Sequence, residues 1–237
     1  KSQGIFIKYI NLQMYLLHKS SQQQVFNDEQ TLNLPENYAI DWMKTLDDNK
    51  FISDIAIPGT HDSLALHGGP AAKCQAWSLV NQLKAGICYF DLRVSGDDLK
   101  VVHGPISQHT TFSDVVFVQK NSFHLGVPLH ETDQHGDYKV GNVEKKKDKI
   151  TDHLKEAIEA CKTNHVVLNY SSGTGFPYLR VDKSPKSLAK EINLWLYNHL
   201  KDTYEKKIES CFGVIAMDFP GFDLIQMVIN FNKQVGI

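Results

Sequence analysis

The sequence predicts an α/β protein built on a parallel sheet or barrel, and three observations carry that prediction. Short runs of apolar, β-branched and aromatic residues recur along the chain and are almost continuously apolar, as strands buried on both faces are. Helical patterns separate several of these runs. The polar residues with chemical potential stand just after the runs, where α/β barrels keep their catalytic groups.

Six runs qualify as strands: Ile52–Ile57, Gly86–Leu92, Leu99–Val102, Val115–Val118, Val166–Tyr170 and Phe212–Met217. Three helices are expected. Val143, Ile150, Leu154, Ile158 and Cys161 recur at helical spacing. A second helix opens at Ser184 as N-cap with Pro185 in the first position, followed by Leu188, Ile192, Trp195 and Leu196. The third follows Pro220, with Leu224, Ile225 and Val228 turned inward. No internal repeat at a fixed period is present.

The 237 residues, 42% of them apolar and 10% aromatic, suffice for one domain with a large core. With 25 Lys and Arg against 27 Asp and Glu, the chain lacks the positive field of a non-specific nucleic-acid binder. No apolar run approaches the roughly 18–20 residues that span a bilayer. The stretch Ile5–Leu17 is broken by Lys8, Asn11 and Gln13 and is followed by the polar Ser20–Gln24, which is no convincing signal peptide. Residues 1–35 are therefore expected to form a poorly ordered leader, and residues 36–237 a single domain. A soluble or membrane-peripheral protein is expected, in a compartment the sequence does not identify. Cys74, Cys88, Cys161 and Cys211 are widely spaced, with no CxxC pair, and are expected as buried small hydrophobes rather than a metal site or disulfide framework.

The first strand runs into Pro58-Gly59-Thr60-His61-Asp62-Ser63, the second ends in Asp91-Leu92-Arg93, the third in His103-Gly104 and the last in Asp218-Phe219-Pro220-Gly221. Each residue alone has a structural reading: His61-Asp62 as a turn, Arg93 as a partner of Asp91 or Asp97, His103 as a core histidine, Asp218 as a helix-start carboxylate. Together they form a kit for phosphoryl chemistry. One histidine takes a proton from an attacking hydroxyl while the other gives one to the leaving oxygen. An arginine offers a planar fork to phosphate oxygens, and a carboxylate fixes a histidine's tautomer.

These residues are recognisable. Ile55-Ala56-Ile57-Pro58-Gly59-Thr60-His61-Asp62-Ser63, the stretch Gln82 to Arg93 and Val102-His103-Gly104 resemble the X region of bacterial, metal-independent phosphatidylinositol-specific phospholipase C. Asp137-Tyr138-Lys139-Val140, Leu168 to Gly173 and Met217 to Gly221 resemble that family's later blocks, in order, so that the likeness extends over residues 38–232. The resemblance implies a TIM-like (β/α) barrel and cleavage of phosphatidylinositol, or a related inositol lipid, to diacylglycerol and a cyclic inositol phosphate. It implies His61 as general base oriented by Asp218, Arg93 on the phosphate, His103 assisted by Asp62 as general acid, and Tyr138 stacked on the inositol. The calcium-dependent branch carries a metal-ligating carboxylate where Arg93 stands, so no metal and no cofactor is implied. The implied partner is a phosphatidylinositol-containing membrane surface, touched transiently; oligomeric state is not legible.

A full barrel takes about 250 residues, and this chain is short of that. The family normally has two more strands between Asp114-Val115 and Val116, including a lysine that contacts the inositol. Lys120 stands where bacterial enzymes place an arginine near the ring. Gly136 replaces a carboxylate at the Tyr138 block, with Asp137 beside it as the possible substitute. The expected barrel is thus irregular and incomplete or open. Two readings of the shortage remain: an enzyme, or a catalytically weak or inactive relative that binds lipid or a partner. Phe176-Pro177-Tyr178-Leu179 is the expected interfacial loop.

Overall fold

The computed structural model describes residues 23–36, 38, 40–115, 132–135, 138–161, 163, 165–175, 181–206 and 211–233. A parallel sheet of five strands forms the centre, in the order β2 (Tyr89–Phe90), β1 (Ala56–Thr60), β8 (Gly213–Met217), β7 (Val166–Tyr170), β6 (Thr132–His135). A second, antiparallel sheet holds β3 (Val94–Ser95), β4 (Lys100–His103) and β5 (Ile106–Thr111). The helices are α1 (Leu79–Lys84), α2 (Val143–Glu159), α3 (Pro185–Glu205) and α4 (Phe222–Asn230), besides one four-residue turn of helix at Phe112–Val115. The parallel sheet is a curled, open half-barrel with β2 and β6 as its edges.

Every residue of β7 and of β8 is buried, which is why both read as unbroken apolar runs. Alternation sorts their side chains between two faces. Val166, Leu168, Tyr170, Val214 and Ala216 form one cluster, with Ile57 and Tyr89 packed on it. Ile215 and Met217 face the other way, into the core shared with Ile150, Leu154, Leu196, Leu224, Ile225 and Val228. Full burial of side chains of this size is worth about 1.5–3 kcal/mol each, so this helix-side core is what holds the sheet curled. All three expected helices form. Asn142 caps α2 by accepting from the Lys145 amide, and Ser184 caps α3 by accepting from the Ser187 amide, with Pro185 at the first position. Among the described residues no helix is long and apolar enough to cross a membrane.

Several expectations are corrected. The first strand begins at Ala56, because Ile52–Asp54 forms a turn of 3-10 helix. The run Gly86–Leu92 contributes only Tyr89–Phe90 to the sheet. The run at Leu99–Val102 is no parallel strand: it becomes β4, antiparallel to β3 and β5. Val115 ends the short helix, and Val116–Val118 and Phe176–Leu179 lie outside the described residues. Cys161 and Cys211 are joined in a disulfide that ties the turn after α2 to the approach to β8. Their spacing of 50 residues left no sequence signal. Cys74 and Cys88 are free.

Within the stretch expected as a leader, residues 24–27 bond to the chain that follows β8. The Gly221 amide donates to the Val25 carbonyl and the Asn27 amide to the Phe219 carbonyl. The Gln24 amide donates to Asp223 Oδ2 at 2.6 Å. Val25 is buried, and Phe26 stacks on Phe219 with ring centres 5.8 Å apart. Two apolar residues and a backbone ladder are too small a signal to see in a polar sequence. Gly221 makes this possible, since a Cβ there would lie 2.0 Å from the Gln24 carbonyl oxygen. Gly221→Ala is expected to release residues 23–28, read as a rise in amide hydrogen exchange confined to that segment and to Phe219–Asp223. Unchanged exchange would contradict the clamp.

Candidate active site

The C-terminal ends of the parallel strands meet at one place. β1 delivers His61 and Asp62, β2 delivers Asp91 and Arg93, β8 delivers Asp218, and β7 ends in Tyr170. His103 arrives from the antiparallel sheet. The Val102 amide donates to the Arg93 carbonyl, so β4 is laid beside the chain leaving β2 and its last residue reaches the same site.

Asp62 adopts a left-handed backbone, φ 41°, a conformation that aspartate tolerates better than most residues but that still costs about 1–3 kcal/mol. Three backbone hydrogen bonds and one to a side chain hold it there: His61 amide to Met217 carbonyl, Ser63 amide to Asp91 carbonyl, Ala65 amide to Asp62 carbonyl, and Asp62 amide to the Asp91 carboxylate Oδ2. Gly59 permits the turn to sit beside β2, because a Cβ would stand 2.8 Å from the Tyr89 ring. Gln75 closes the back by donating to the carbonyls of His61 and Met217.

The geometry centres on Asp62, whose side chain is 2% exposed. Its Oδ2 lies 3.2 Å from His61 Nε2, 3.1 Å from Arg93 Nη1 and 3.4 Å from His103 Nε2. None of these has the alignment of a hydrogen bond, so they are charge contacts. The distal sides of the rings are pinned. His61 Nδ1 donates to Asp218 Oδ1 at 2.9 Å, and His103 Nδ1 donates to the Ala72 carbonyl at 2.6 Å. Both histidines therefore present Nε2 to the site, with ring centres 6.5 Å apart and planes perpendicular. Arg93 is held by Asp91 through two bonds, Nη2 to Oδ2 at 2.7 Å and Nε to Oδ1 at 3.2 Å. Asp218 is steadied from behind by Asn193, which donates to the Asp218 and Phe219 carbonyls.

Electrostatics follow from this packing. For His61, burial disfavours the charged ring, but the charge and hydrogen bond of Asp218, and then Asp62, outweigh burial and raise its pKa above the ordinary 6.5. Burial raises the Asp62 carboxyl pKa against the opposing pull of His61, His103 and Arg93. With Nδ1 of His61 donating to Asp218, its Nε2 faces the Asp62 carboxylate at 3.2 Å, and both groups are shifted toward their protonated forms. Asp91 is shifted downward: burial is the largest influence and opposes its charge, but the hydrogen bonds and charge of Arg93 prevail.

A cavity of about 590 Å³ opens onto these groups, within the range of small-molecule sites. Around His103 its wall is apolar: Ala71, Ala72, Pro105 and Ile106. Tyr138, Ser172 and Thr174, which carry hydroxyls, also line it. Tyr138 is half exposed and its strand pairs with the Gly173–Thr174 segment through the bonds Thr174 amide to Tyr138 carbonyl and Val140 amide to Thr174 carbonyl.

His61, Asp62 and Cys74 place potential ligand atoms within 4.8 Å of one another. The set suits no hard cation. Calcium takes six to eight oxygens, a ligating thiol must ionise, and burial holds the Cys74 thiol well above its usual pKa. Arg93, 3.1 Å from Asp62, already supplies the positive charge.

Of the residues expected from sequence, His61, Asp62, Arg93, His103 and Asp218 come together, and Tyr138 lines the same cavity. Asp137 and Lys120 lie outside the described residues. Sequence reasoning missed Tyr170, whose ring stands perpendicular to His61 at 5.9 Å and whose hydroxyl meets that of Tyr89 at 2.9 Å. Its signal was a polar-tipped aromatic at the end of an apolar strand. The Ala72 carbonyl had no signal.

No family model matches the chain. A 1-phosphatidylinositol phosphodiesterase of Listeria monocytogenes is 38% identical over 92 residues, covering 34% of this chain and 29% of that protein. The enzyme of that name from Staphylococcus aureus strain Newman is 34% identical over 106 residues, 41% of this chain and 32% of the relative. The matches thus span about three tenths of the curated relatives' length. Fold similarity extends further. The solved phosphatidylinositol-specific phospholipase C of L. monocytogenes superposes with a TM-score of 0.70 at 20% identity, over 82% of this chain and 98% of that one. A variant of the S. aureus phospholipase gives 0.66 at 17% identity, over 82% and 96%. The chain is thus similar in sequence, over part of its length, to bacterial 1-phosphatidylinositol phosphodiesterases, and over most of its length it has the fold of the bacterial phosphatidylinositol-specific phospholipases C.

Proposed function

We propose that the chain cleaves phosphatidylinositol, or a related inositol lipid, by metal-independent acid–base catalysis between two histidines. The observation that carries this reading is the convergence of His61 Nε2, His103 Nε2 and the Arg93 guanidinium on one carboxylate oxygen, Asp62 Oδ2. In-line displacement at phosphorus needs a base on the attacking side and an acid on the leaving side. His61 Nε2 takes the proton of the inositol 2-hydroxyl as its oxygen bonds to phosphorus. The bond from phosphorus to the glycerol oxygen breaks, and that oxygen receives the proton of His103 Nε2. Arg93 neutralises the charge that gathers on the non-bridging oxygens. One proton is taken and one given, and the products are a cyclic inositol phosphate and diacylglycerol.

The cavity's two walls fit this assignment. The hydroxyl-bearing side at Tyr138, Ser172 and Thr174 suits the inositol, and the apolar side at Ala72 and Ile106, next to His103, suits the glycerol stem of the leaving group. Asp91 acts through Arg93, setting the fork at an angle that a lysine could not reproduce. The partner in this reading is a lipid surface touched peripherally.

Phosphorus NMR of the protein with phosphatidylinositol in mixed micelles and EDTA is expected to show a cyclic inositol phosphate resonance, absent in His61→Ala and in His103→Ala. A folded protein that yields none would favour the lipid- or partner-binding alternative, and a calcium requirement would overturn the role of Arg93.

The pH dependence has a definite sign. His61 must be neutral to act as a base and its pKa is raised, so kcat/KM is expected to climb through a midpoint above pH 6.5. Asp218→Asn removes the largest influence raising that pKa and also frees the tautomer. The limb is expected to move to lower pH while the maximal rate falls by about 10²–10⁴. The same linkage makes the charged His61 stabilising below pH 6.5, a contribution that fades as pH rises through the folded-state value. An acid limb that stays in place in Asp218→Asn would contradict the assignment.

A further inference from the structure

The sheet register sets Tyr89 of β2, Gly59 of β1, Ala216 of β8 and Tyr170 of β7 side by side in one row. The two tyrosines are three strand spacings apart, about 14 Å along the sheet. Between them stand only a glycine and an alanine. Both phenols lean inward over these small residues, and their hydroxyls meet at 2.9 Å. Gly59 leaves the room, since a Cβ there would lie 2.8 Å from the Tyr89 ring. The bond spans the curled sheet on the face where Tyr89 packs against Leu168, Tyr170, Val214 and Ala216.

This row is the layer below the catalytic groups. Two residues further along the four strands come Asp91, His61, Asp218 and Ser172. Tyr170 lines the catalytic cavity. Its ring stands perpendicular to that of His61 with centres 5.9 Å apart, and it interacts electrostatically with the Arg93 guanidinium. Its backbone is pinned from the helix side, where the buried Lys146 ammonium donates to its carbonyl at 2.7 Å.

A phenol has one proton to give and lone pairs with which to accept. Burial, and then the bond to Tyr170, raise the Tyr89 pKa, the direction found for the partner that donates. We infer that Tyr89 donates to Tyr170, and that Tyr170 gives its own proton in a hydrogen bond to a non-bridging oxygen of the scissile phosphodiester, beside Arg93. Tyr170 is then a catalytic residue and Tyr89 a positioning residue acting through it. A phenol adds a donor without bringing a further cationic group among His61, Arg93 and His103, and accepting from Tyr89 strengthens it. The role rests on the phospholipase reading of the site.

The test follows the two phenols directly. Tyrosines are labelled with carbon-13 at Cζ, whose shift reports phenol hydrogen bonding, and the two resonances are assigned through Tyr89→Phe and Tyr170→Phe. The water-soluble diester glycerophosphoinositol is titrated into His103→Ala, so that it is not turned over. Saturable shifts at both Tyr170 and Arg93 are expected. Binding that moves Arg93 and leaves Tyr170 unmoved would overturn the role and leave the phospholipase reading standing. Turnover separates a donor from a mere strut, because either substitution breaks the same hydroxyl bond. Unfolding midpoints are expected to fall alike in the two variants. In contrast, kcat on phosphatidylinositol in mixed micelles is expected to fall about 10²-fold in Tyr170→Phe and about tenfold or less in Tyr89→Phe, which keeps the donor. Equal losses of kcat would overturn the role. A protein that neither binds the diester nor turns over the lipid would remove the phospholipase reading, and this role with it.

Discussion

One carboxylate oxygen, Oδ2 of Asp62, lies within 3.4 Å of nitrogens from His61, Arg93 and His103. Three groups that are cationic or can become so would repel one another in a partly buried site, and the shared anion lets them converge. The same oxygen lacks any aligned hydrogen bond, so nothing directional ties it to one partner. Burial lowers the proton affinity of His61, but the carboxylates of Asp218 and Asp62 outweigh it, while burial raises the proton affinity of Asp62.

The rest of the scaffold keeps Asp62 where it is. Its left-handed backbone is sustained by bonds to the ends of β2 and β8. Phe219, beside Asp218, is also left-handed at φ 46°, an unusual state for a bulky residue. It is held by the Cys74 carbonyl accepting from its amide, by Asn27 and Asn193 donating to its carbonyl, and by the Phe26 ring. The polar segment before β1 thus belongs to the site's support. The bonds around Asp62 join the ends of the adjacent strands β2, β1 and β8, on the side of the open half-barrel away from the edge at β6.

Much of this was legible in the amino-acid order because particular residues left no alternative. Val166–Tyr170 and Phe212–Met217 are too apolar and too short for anything but buried strands. Ser184-Pro185 marks a helix start by its chemistry. The His61-Asp62 turn, Arg93, His103 and Asp218 could be grouped because each follows a strand. What escaped had weak or absent local signals. β6 is the polar Thr132–His135, which has no hydrophobic pattern. Four residues at Leu99–Val102 cannot reveal whether their neighbours run parallel or antiparallel, so His103 was expected at the end of a parallel strand and stands instead at the end of an antiparallel one. The Ala72 carbonyl that sets the His103 tautomer is a backbone atom with no sequence signature.

The most direct test of this account is nitrogen-15 NMR of the imidazole of His61 against pH, in the parent protein and in Asp62→Asn. Nδ1 is expected to stay protonated throughout, held by Asp218, with all of the titration at Nε2 and a midpoint above 6.5 that falls when Asp62 loses its charge. A midpoint unmoved by Asp62→Asn, or deprotonation at Nδ1, would contradict the shared carboxylate as the centre of the site.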